Sequence, residues 1–275
     1  MIDLALSVAL FALAAGAAVA YAARVRRRGR ARNARVEQAG SSVLLGKGPM
    51  EAAYYFLEPV GRGAVRLGIS ANAITWLSFF LALAGAAAIA IGHFGVGGAL
   101  TMIAAFGDAL DGVVARQTRT TSAAGEILDA AVDRYEELFF LAALTFYFRG
   151  SPAFMGLSLL ALLGSFMVSY GTAKAEALQV EAPRGSMRRA ERAVYLTLGV
   201  VLAPIAAAIA ARFALPAWVG AAPIVASLAL VSVVANVSAA RRLTAIARAV
   251  NARATRPAPR RADARVADDV FRSTP

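Results

Sequence analysis

The chain contains no cysteine and only one histidine, His93, in 275 residues. Disulfide frameworks, thiolate nucleophiles, Cys-ligated zinc and iron–sulfur clusters are excluded, and imidazole chemistry has a single residue to draw on. Charge is scarce as well: 17% of residues are charged while 59% are hydrophobic, and the mean hydropathy is +0.61. A soluble domain of this length could bury a large core, but it could not cover its surface with so little charge. The apolar residues must face lipid. Acids are the rarer sign, 17 Asp+Glu against 29 Lys+Arg, for a net charge of +12. A nucleic-acid-binding face would spread those cations over a fold, whereas here the arginines crowd into runs outside the apolar stretches, so no nucleic-acid partner is expected. What chemistry the chain performs falls to carboxylates.

A hydrocarbon layer of about 30 Å needs roughly 20 helical residues. Seven apolar stretches of that length are present: Ile2 to Ala23, Ala71 to His93, Val96 to Arg116, Gly125 to Phe148, Pro152 to Ala173, Ala190 to Ala211 and Leu215 to Ala239. The chain therefore reads as an all-α, multi-pass integral membrane protein. The first stretch is followed, not preceded, by its positive charges, which marks an uncleaved anchor and not a secretory signal. The cluster Arg24, Arg26, Arg27, Arg28, Arg30, Arg32 and Arg35 is expected in the cytoplasm, with the N-terminus outside. Alternation then puts Arg116 to Arg119, the loop holding Lys174, Arg184, Arg188, Arg189 and Arg192, and the tail from Arg241 inside as well. Mainly His93, Arg149 and Arg212 fall at outer turns.

Four blocks follow: an anchor helix at 1–24, a basic segment with an interfacial helix at 25–69, a membrane domain at 70–242 and a basic cytoplasmic tail at 243–275. The interfacial helix is suggested by Met50, Ala53, Tyr54, Phe56, Leu57 and Val60, which could equally be a packed connector. The tail arginines suit anionic lipid and topology better than nucleic acid.

The informative stretch is FGDALDGVVARQTRTTSAAGEILDAAVDRYEE, where Asp108, Asp111, Asp129 and Asp133 lie at the cytoplasmic ends of two successive spans. Each carboxylate in a spanning helix costs about 2.5–3.5 kcal/mol on insertion scales, so the four must face a polar cavity. Asp108 and Asp111 are three apart, Asp129 and Asp133 four apart, so each pair projects from one side of its helix. The short loop from Gln117 to Ala124 makes the two helices antiparallel neighbours, so the pairs can meet. Oxygen ligands without Cys or a nearby His select hard divalent ions, Mg²⁺, Mn²⁺ or Ca²⁺, and a two-ion site suits in-line phosphoryl displacement. Gly112, Ala115 and Gly125 remove bulk beside the acids, leaving room for a flat phosphate-bearing ligand, and Arg116 can offer it planar hydrogen bonds. Lys174, Arg188, Arg189 and Arg192 share this inner face, where they would hold a phosphate-bearing acceptor or simply fix topology. Glu136 and Glu137 read as solvated helix-end acids, Trp76, Trp218 and the Phe139, Phe140, Phe146, Tyr147, Phe148 group as lipid-facing or interfacial aromatics, and His93 as remote from catalysis.

The order Asp108, two residues, Asp111-Gly112, two residues, Ala115-Arg116, eight residues, Gly125, three residues, Asp129, three residues, Asp133 resembles the signature of the CDP-alcohol phosphatidyltransferase family (class I CDP-alcohol phosphotransferases) at every fixed position. Looser likeness extends to NAIT at Asn72 to Thr75, SYGTAKAE at Ser169 to Glu176 and MRRAER at Met187 to Arg192. The resemblance implies a six-helix transmembrane core, here with an additional N-terminal transmembrane helix, usually dimerised with a second copy. It implies an enzyme of phospholipid biosynthesis in the plasma (inner) membrane, with its active site facing the cytoplasm. Two divalent cations, Mg²⁺ or Mn²⁺, would serve transfer of a phosphatidyl group from CDP-diacylglycerol or a related CDP-alcohol to a polar alcohol, releasing CMP. By position, Asp108, Asp111 and Asp129 would be metal ligands, Asp133 a ligand and the candidate base, and Gly112, Ala115, Arg116 and Gly125 would border the cytidine diphosphate. DAAVDRYEE is more similar to members that use inositol phosphate than to glycerophosphate members, which often place Lys after the last motif acid, where this chain has Arg134. Glycerol 3-phosphate or another head-group alcohol is the alternative acceptor. A cation-binding transporter is the alternative class, though a transport site is expected near the bilayer midplane at broken helices.

Overall fold

The computed structural model describes residues 1–30, 47–181 and 187–254. Arg32, Arg35, Arg184 and the tail from Thr255 lie outside the described residues. The described chain is helical: α1 (Ile2–Arg28), α2 (Gly48–Arg66), α3 (Ala71–Ala90), α4 (Phe94–Thr118), α5 (Ala123–Tyr147), α6 (Pro152–Ala177), α7 (Arg189–Arg212) and α8 (Ala222–Ala254). Single 3₁₀ turns, Phe148–Gly150 and Ala217–Ala221, lead into α6 and α8.

All seven expected spans are helices. Six are long and apolar enough to cross a membrane, α1, α3, α4, α6, α7 and the stretch that ends in α8. The remaining one, α5, has 25 residues, but Glu126, Asp129, Asp133, Arg134, Glu136 and Glu137 dilute its apolar character. The last expected span ends at Ala239, whereas α8 runs on to Ala254, so the start of the basic tail is a continuation of that helix. Residues Gly48–Arg66 form a separate amphipathic helix with Leu57, Gly61 and Ala64 buried and Tyr55, Phe56 and Val60 exposed.

With lipid outside, helix association relies on close packing and on polar contacts to backbone. Gly85 of α3 and Gly97 of α4 face each other: a Cβ on Gly85 would lie 2.8 Å from Thr101 Cγ2 and 3.1 Å from the Gly97 carbonyl oxygen. On the other side of the bundle, Ser232 and Asn236 of α8 donate to the Leu157 and Leu160 carbonyls of α6 at 2.9 and 2.8 Å. Between these pairs runs a dry core that includes Ile89, Leu141, Leu144, Val200, Ile224, Leu228 and Val231, all fully buried. Phe140 and Phe148 belong to that core and are not lipid-facing; Trp76 and Trp218 are exposed, as expected.

Two features depart from the expected arrangement. Although only residues 119–122 separate α4 from α5, the two helices share little backbone contact, and α3 packs on both. The connection leaves α4 through Arg119 in the left-handed region (φ 57°) and enters α5 at Ser122, whose hydroxyl accepts from the Gly125 N–H. The helices open away from the turn instead of lying side by side.

The second feature is the docking of α1, which packs on α4 and α7. At the start of α1, Asp3 Oδ1 accepts from the N–H groups of Gly95 and Val96 at 2.8 and 3.1 Å, and Asp3 Oδ2 lies 2.9 Å from His93 Nδ1. The first turn of α4 has no side-chain cap from its own N-cap residue, so a carboxylate from another helix caps it. A Cβ on Gly95 would sit 2.1 Å from the Asp3 carbonyl oxygen, so glycine is required there. At its other end α1 meets α2: the Tyr21 hydroxyl donates to Glu51 at 3.1 Å, and the Arg24 guanidinium lies 4.8 Å from the centre of the Tyr55 ring. Asp3→Ala is expected to destabilise the protein by about 1–2 kcal/mol through loss of this cap. Gly95→Ala should destabilise it further, and thermal unfolding in detergent would read both; an unchanged midpoint for both would remove the docking role.

Candidate active site

The four motif aspartates collect at one end of the bundle. Asp108 and Asp111 project from the C-terminal half of α4, Asp129 and Asp133 from the N-terminal half of α5. Asp111 lies within electrostatic reach of both Asp108 and Asp129, and Asp133 of the same two, so all four belong to one charged group. The divergence of α4 and α5 leaves a cavity of about 450 Å³ beside them. Asp108, Asp111, Gly112, Ala115, Arg116, Gly125 and Asp129 line it, together with Thr75 of α3 and Tyr54 of α2. Every residue expected to border a nucleotide is thus on its wall.

Local packing fixes these side chains. Thr75 Oγ1 donates to Asp111 Oδ2 at 2.5 Å, and both residues are buried. Where Gly112 lacks a side chain, the guanidinium of Arg116 lies over the backbone: a Cβ there would be 3.1 Å from Nη1.

Asp133 turns from the cavity wall toward α7. Oxygens of Asp108, Asp133 and Glu136 lie within 4.8 Å of one another, a spacing that one cation can bridge. Arg189 is inserted among them: Nη2 donates to Asp108 Oδ2 at 2.6 Å and to Glu136 Oε2 at 2.9 Å, and Nη1 pairs with Asp133. One guanidinium cannot saturate three carboxylates. Asp108 Oδ1 and Glu136 Oε1 are buried without a hydrogen-bond partner. Such orphaned oxygens, with Asp111 and Asp129 close by and no thiolate or imidazole, fit hard divalent cations.

The basic residues divide. Arg192 is 1% exposed and gives Nε and Nη2 to the two Glu137 oxygens at 2.6 and 2.9 Å, with Nη1 on the Met187 carbonyl. It is a structural ion pair. Glu136 and Glu137, expected to be solvated, are instead buried partners of α7 arginines. Lys174 is exposed at the end of α6 and Arg188 half-buried before α7. Arg242 of α8 joins them unannounced by any local motif: it donates to Thr172 Oγ1 at 2.7 Å and lies within electrostatic reach of Glu176 and Arg188.

Residues 68–227 match the family model described as CDP-alcohol phosphatidyltransferase. The chain belongs to this family. It is 36% identical over 146 residues to the archaetidylinositol phosphate synthase of Methanothermobacter thermautotrophicus, covering 52% of this chain and 71% of that protein. With the phosphatidylinositol phosphate synthase of Mycolicibacterium smegmatis it shares 31% identity, over 56% of this chain and 72% of the relative. The crystal structure of the Mycobacterium tuberculosis phosphatidylinositol phosphate synthase with CDP-DAG bound superposes with a TM-score of 0.60 at 23% identity, covering 69% of this chain and 92% of that one. The same protein in complex with manganese and citrate gives the same score. The chain is a multi-pass membrane enzyme of the CDP-alcohol phosphatidyltransferase class, and the matched residues take in α3 to α7 and the start of α8.

Two substitutions test the site's construction. Arg192→Leu removes the two-pronged partner of buried Glu137 and leaves it only Arg134 at 3.7 Å, so it is expected to destabilise by about 3 kcal/mol, with much of the loss recovered when Glu137→Leu is added. Recovery absent in the double variant would show that the pair is not self-contained. Thr75→Val removes the hydrogen bond that orients Asp111, and should raise the Mn²⁺ concentration giving half-maximal activity about 10-fold with little change in unfolding temperature. An unaltered metal requirement would sink that role for Thr75.

Proposed function

We propose that this enzyme transfers the phosphatidyl group of CDP-diacylglycerol, or of a closely related CDP-alcohol, to a hydroxyl of inositol phosphate and releases CMP. The cavity carries the reading: seven of the eight motif residues line one space of about 450 Å³, and the eighth, Asp133, adjoins it through Asp108. The names of the relatives support inositol phosphate as acceptor.

Asp108, Asp111, Asp129 and Asp133 would hold two divalent cations, Mg²⁺ or Mn²⁺, which when bound neutralise the diphosphate and make CMP a better leaving group. The protein's own residues supply the rest. Gly112 and Ala115 keep the α4 surface flat so that the nucleotide can approach the backbone, and Arg116 donates to its phosphates. Ser122 fixes the first turn of α5 and with it the Gly125 wall. Asp133 accepts the proton of the attacking hydroxyl as the new oxygen–phosphorus bond forms and the bond to CMP breaks. Arg188 and Arg242, which lie within electrostatic reach of each other, would hold the acceptor's phosphate, with Lys174 at the end of α6 and Arg189 beside Arg188 as further cations. Arg192 is not assigned to this group, because Glu137 engages it fully.

The site end of the bundle is the end that carries Arg24 to Arg30, which supports a cytoplasmic site and an N-terminus outside, in the plasma membrane as this reading has it. In this reading residues 1–24, 25–69, 70–242 and 243–275 would be anchor, interfacial segment, transferase domain and tail, and family likeness supports a homodimer. The test is a screen of labelled acceptors with purified protein, CDP-diacylglycerol and Mg²⁺ or Mn²⁺, reading CMP and the lipid product by mass. Inositol phosphate should yield CMP and phosphatidylinositol phosphate, and Asp129→Asn should reduce both to background. A glycerol phosphate product would move the assignment to the alternative acceptor; no CMP with any acceptor would overturn it.

A further inference from the structure

Arg189 occupies a position that the motif does not call for. It is the first residue of α7, and its guanidinium bridges Asp108 and Asp133, which stand on different helices. Glu136, one turn after Asp133 and outside the motif, takes a share of the same guanidinium at 2.9 Å. The acids are not free to wait for a cation as bare neighbours. Two or three carboxylates this close repel one another, and in a low-dielectric setting they separate or change protonation unless a cation stands between them.

The geometry points to Arg189 as a positioning residue that acts as a resident counter-ion: it holds Asp108 and Asp133 together before divalent cations bind, competes with those cations for the same oxygens, and is retained nearby by Glu136 when displaced. This deepens the reading of the site given above and rests on it. A guanidinium and a divalent ion cannot share these oxygens, because each takes the lone pairs that the other needs and the two repel. Asp108 Oδ2 serves Arg189, whereas Asp108 Oδ1 and Glu136 Oε1 are buried and unpartnered. An arriving cation therefore has open oxygens to begin from before the arginine yields. A displaced Arg189 remains at the N-terminus of α7, next to Arg188, where an anionic ligand would meet it.

The absence of cysteine makes a direct test available. Mn²⁺ binding to the full-length protein in detergent, followed by electron paramagnetic resonance of the free ion without any substrate, should tighten on the order of 10-fold in Arg189→Gln. Arg189→Lys keeps the charge but replaces the two nitrogens of the planar fork with one, which spans the carboxylates less well, so it should tighten binding by a smaller factor, about 3-fold. Arg134→Gln removes a nearby positive charge that pairs with Glu137 instead, and should shift binding by less than about 2-fold. In Arg189→Cys, a thiosulfonate reagent that adds an ethylammonium group through a disulfide should weaken Mn²⁺ binding again, while one that adds a neutral methylthio group should not. A merely structural role for Arg189 predicts unchanged or weaker Mn²⁺ binding in Arg189→Gln and Arg189→Lys, and that result overturns the proposal while leaving the transferase reading intact. Wild-type protein that binds no Mn²⁺ at all would overturn both.

Discussion

A carboxylate in a lipid-embedded helix costs about 2.5–3.5 kcal/mol on insertion scales, and α5 alone carries Glu126, Asp129, Asp133, Glu136 and Glu137. That burden dictates what the rest of the bundle must provide at this end. Asp129 is given a cavity, Asp133 and Glu136 are given Arg189, and Glu137 is given Arg192. Both arginines come from the first turn of α7, a helix separated from α5 in sequence by all of α6. The start of α7 is consequently pinned to α5 by charge. A single residue shift in either helix would leave buried acids facing hydrocarbon.

The cavity has a mechanical origin in the same region. A tight antiparallel pair of α4 and α5 would press the two aspartate pairs together and leave no volume for a ligand. Instead α3 takes up contact with both, and the left-handed residue Arg119 with the Ser122 cap sets the angle at which the chain reverses. Gly85 and Gly97 let α3 approach α4 closely, and this approach brings Thr75 to Asp111. Close packing in one part of α3 thus maintains open space between its two partners.

What could be read from the sequence follows a physical divide. Lipid demands long apolar helices, so six spans are visible in composition alone, and α5, diluted by its acids, is visible as a helix of similar length. Within one helix the spacing of Asp108 to Asp111 and of Asp129 to Asp133 sets which faces meet, so the convergence of the quartet was also legible. Contacts between distant segments leave no such trace. Glu136 and Glu137 look like ordinary helix-end acids because their partners stand 53 and 55 positions away. Arg242 pairs with Thr172 across 70 positions, and Asp3 reaches Gly95 across 92. Each of these is a charge or polar group in an apolar setting, and that incongruity was the available signal. The incongruity is plain for the aspartates and masked for the glutamates, because a helix end is ordinarily solvated.

The N-terminal helix shows why this signal carries beyond the family core. Asp3 is an acid in the first turn of an apolar span, and α1 makes a polar contact at each of its ends. At one end it caps α4, the helix whose far half carries Asp108 and Asp111. At the other end of α1, Tyr21 and Arg24 engage Glu51 and Tyr55 of α2, whose neighbouring Tyr54 lines the cavity and whose Gly61 closes on Val113 of α4. Removing the side chain at 61 is what permits that last approach, since a Cβ there would lie 2.5 Å from Val113 Cγ1. The helix added outside the matched residues 68–227 therefore braces α4 directly at its N-terminus and indirectly, through α2, beside the site. An anchor needed only to hold the protein in lipid would require neither contact, so α1 belongs mechanically to the transferase domain although it lies outside it in sequence.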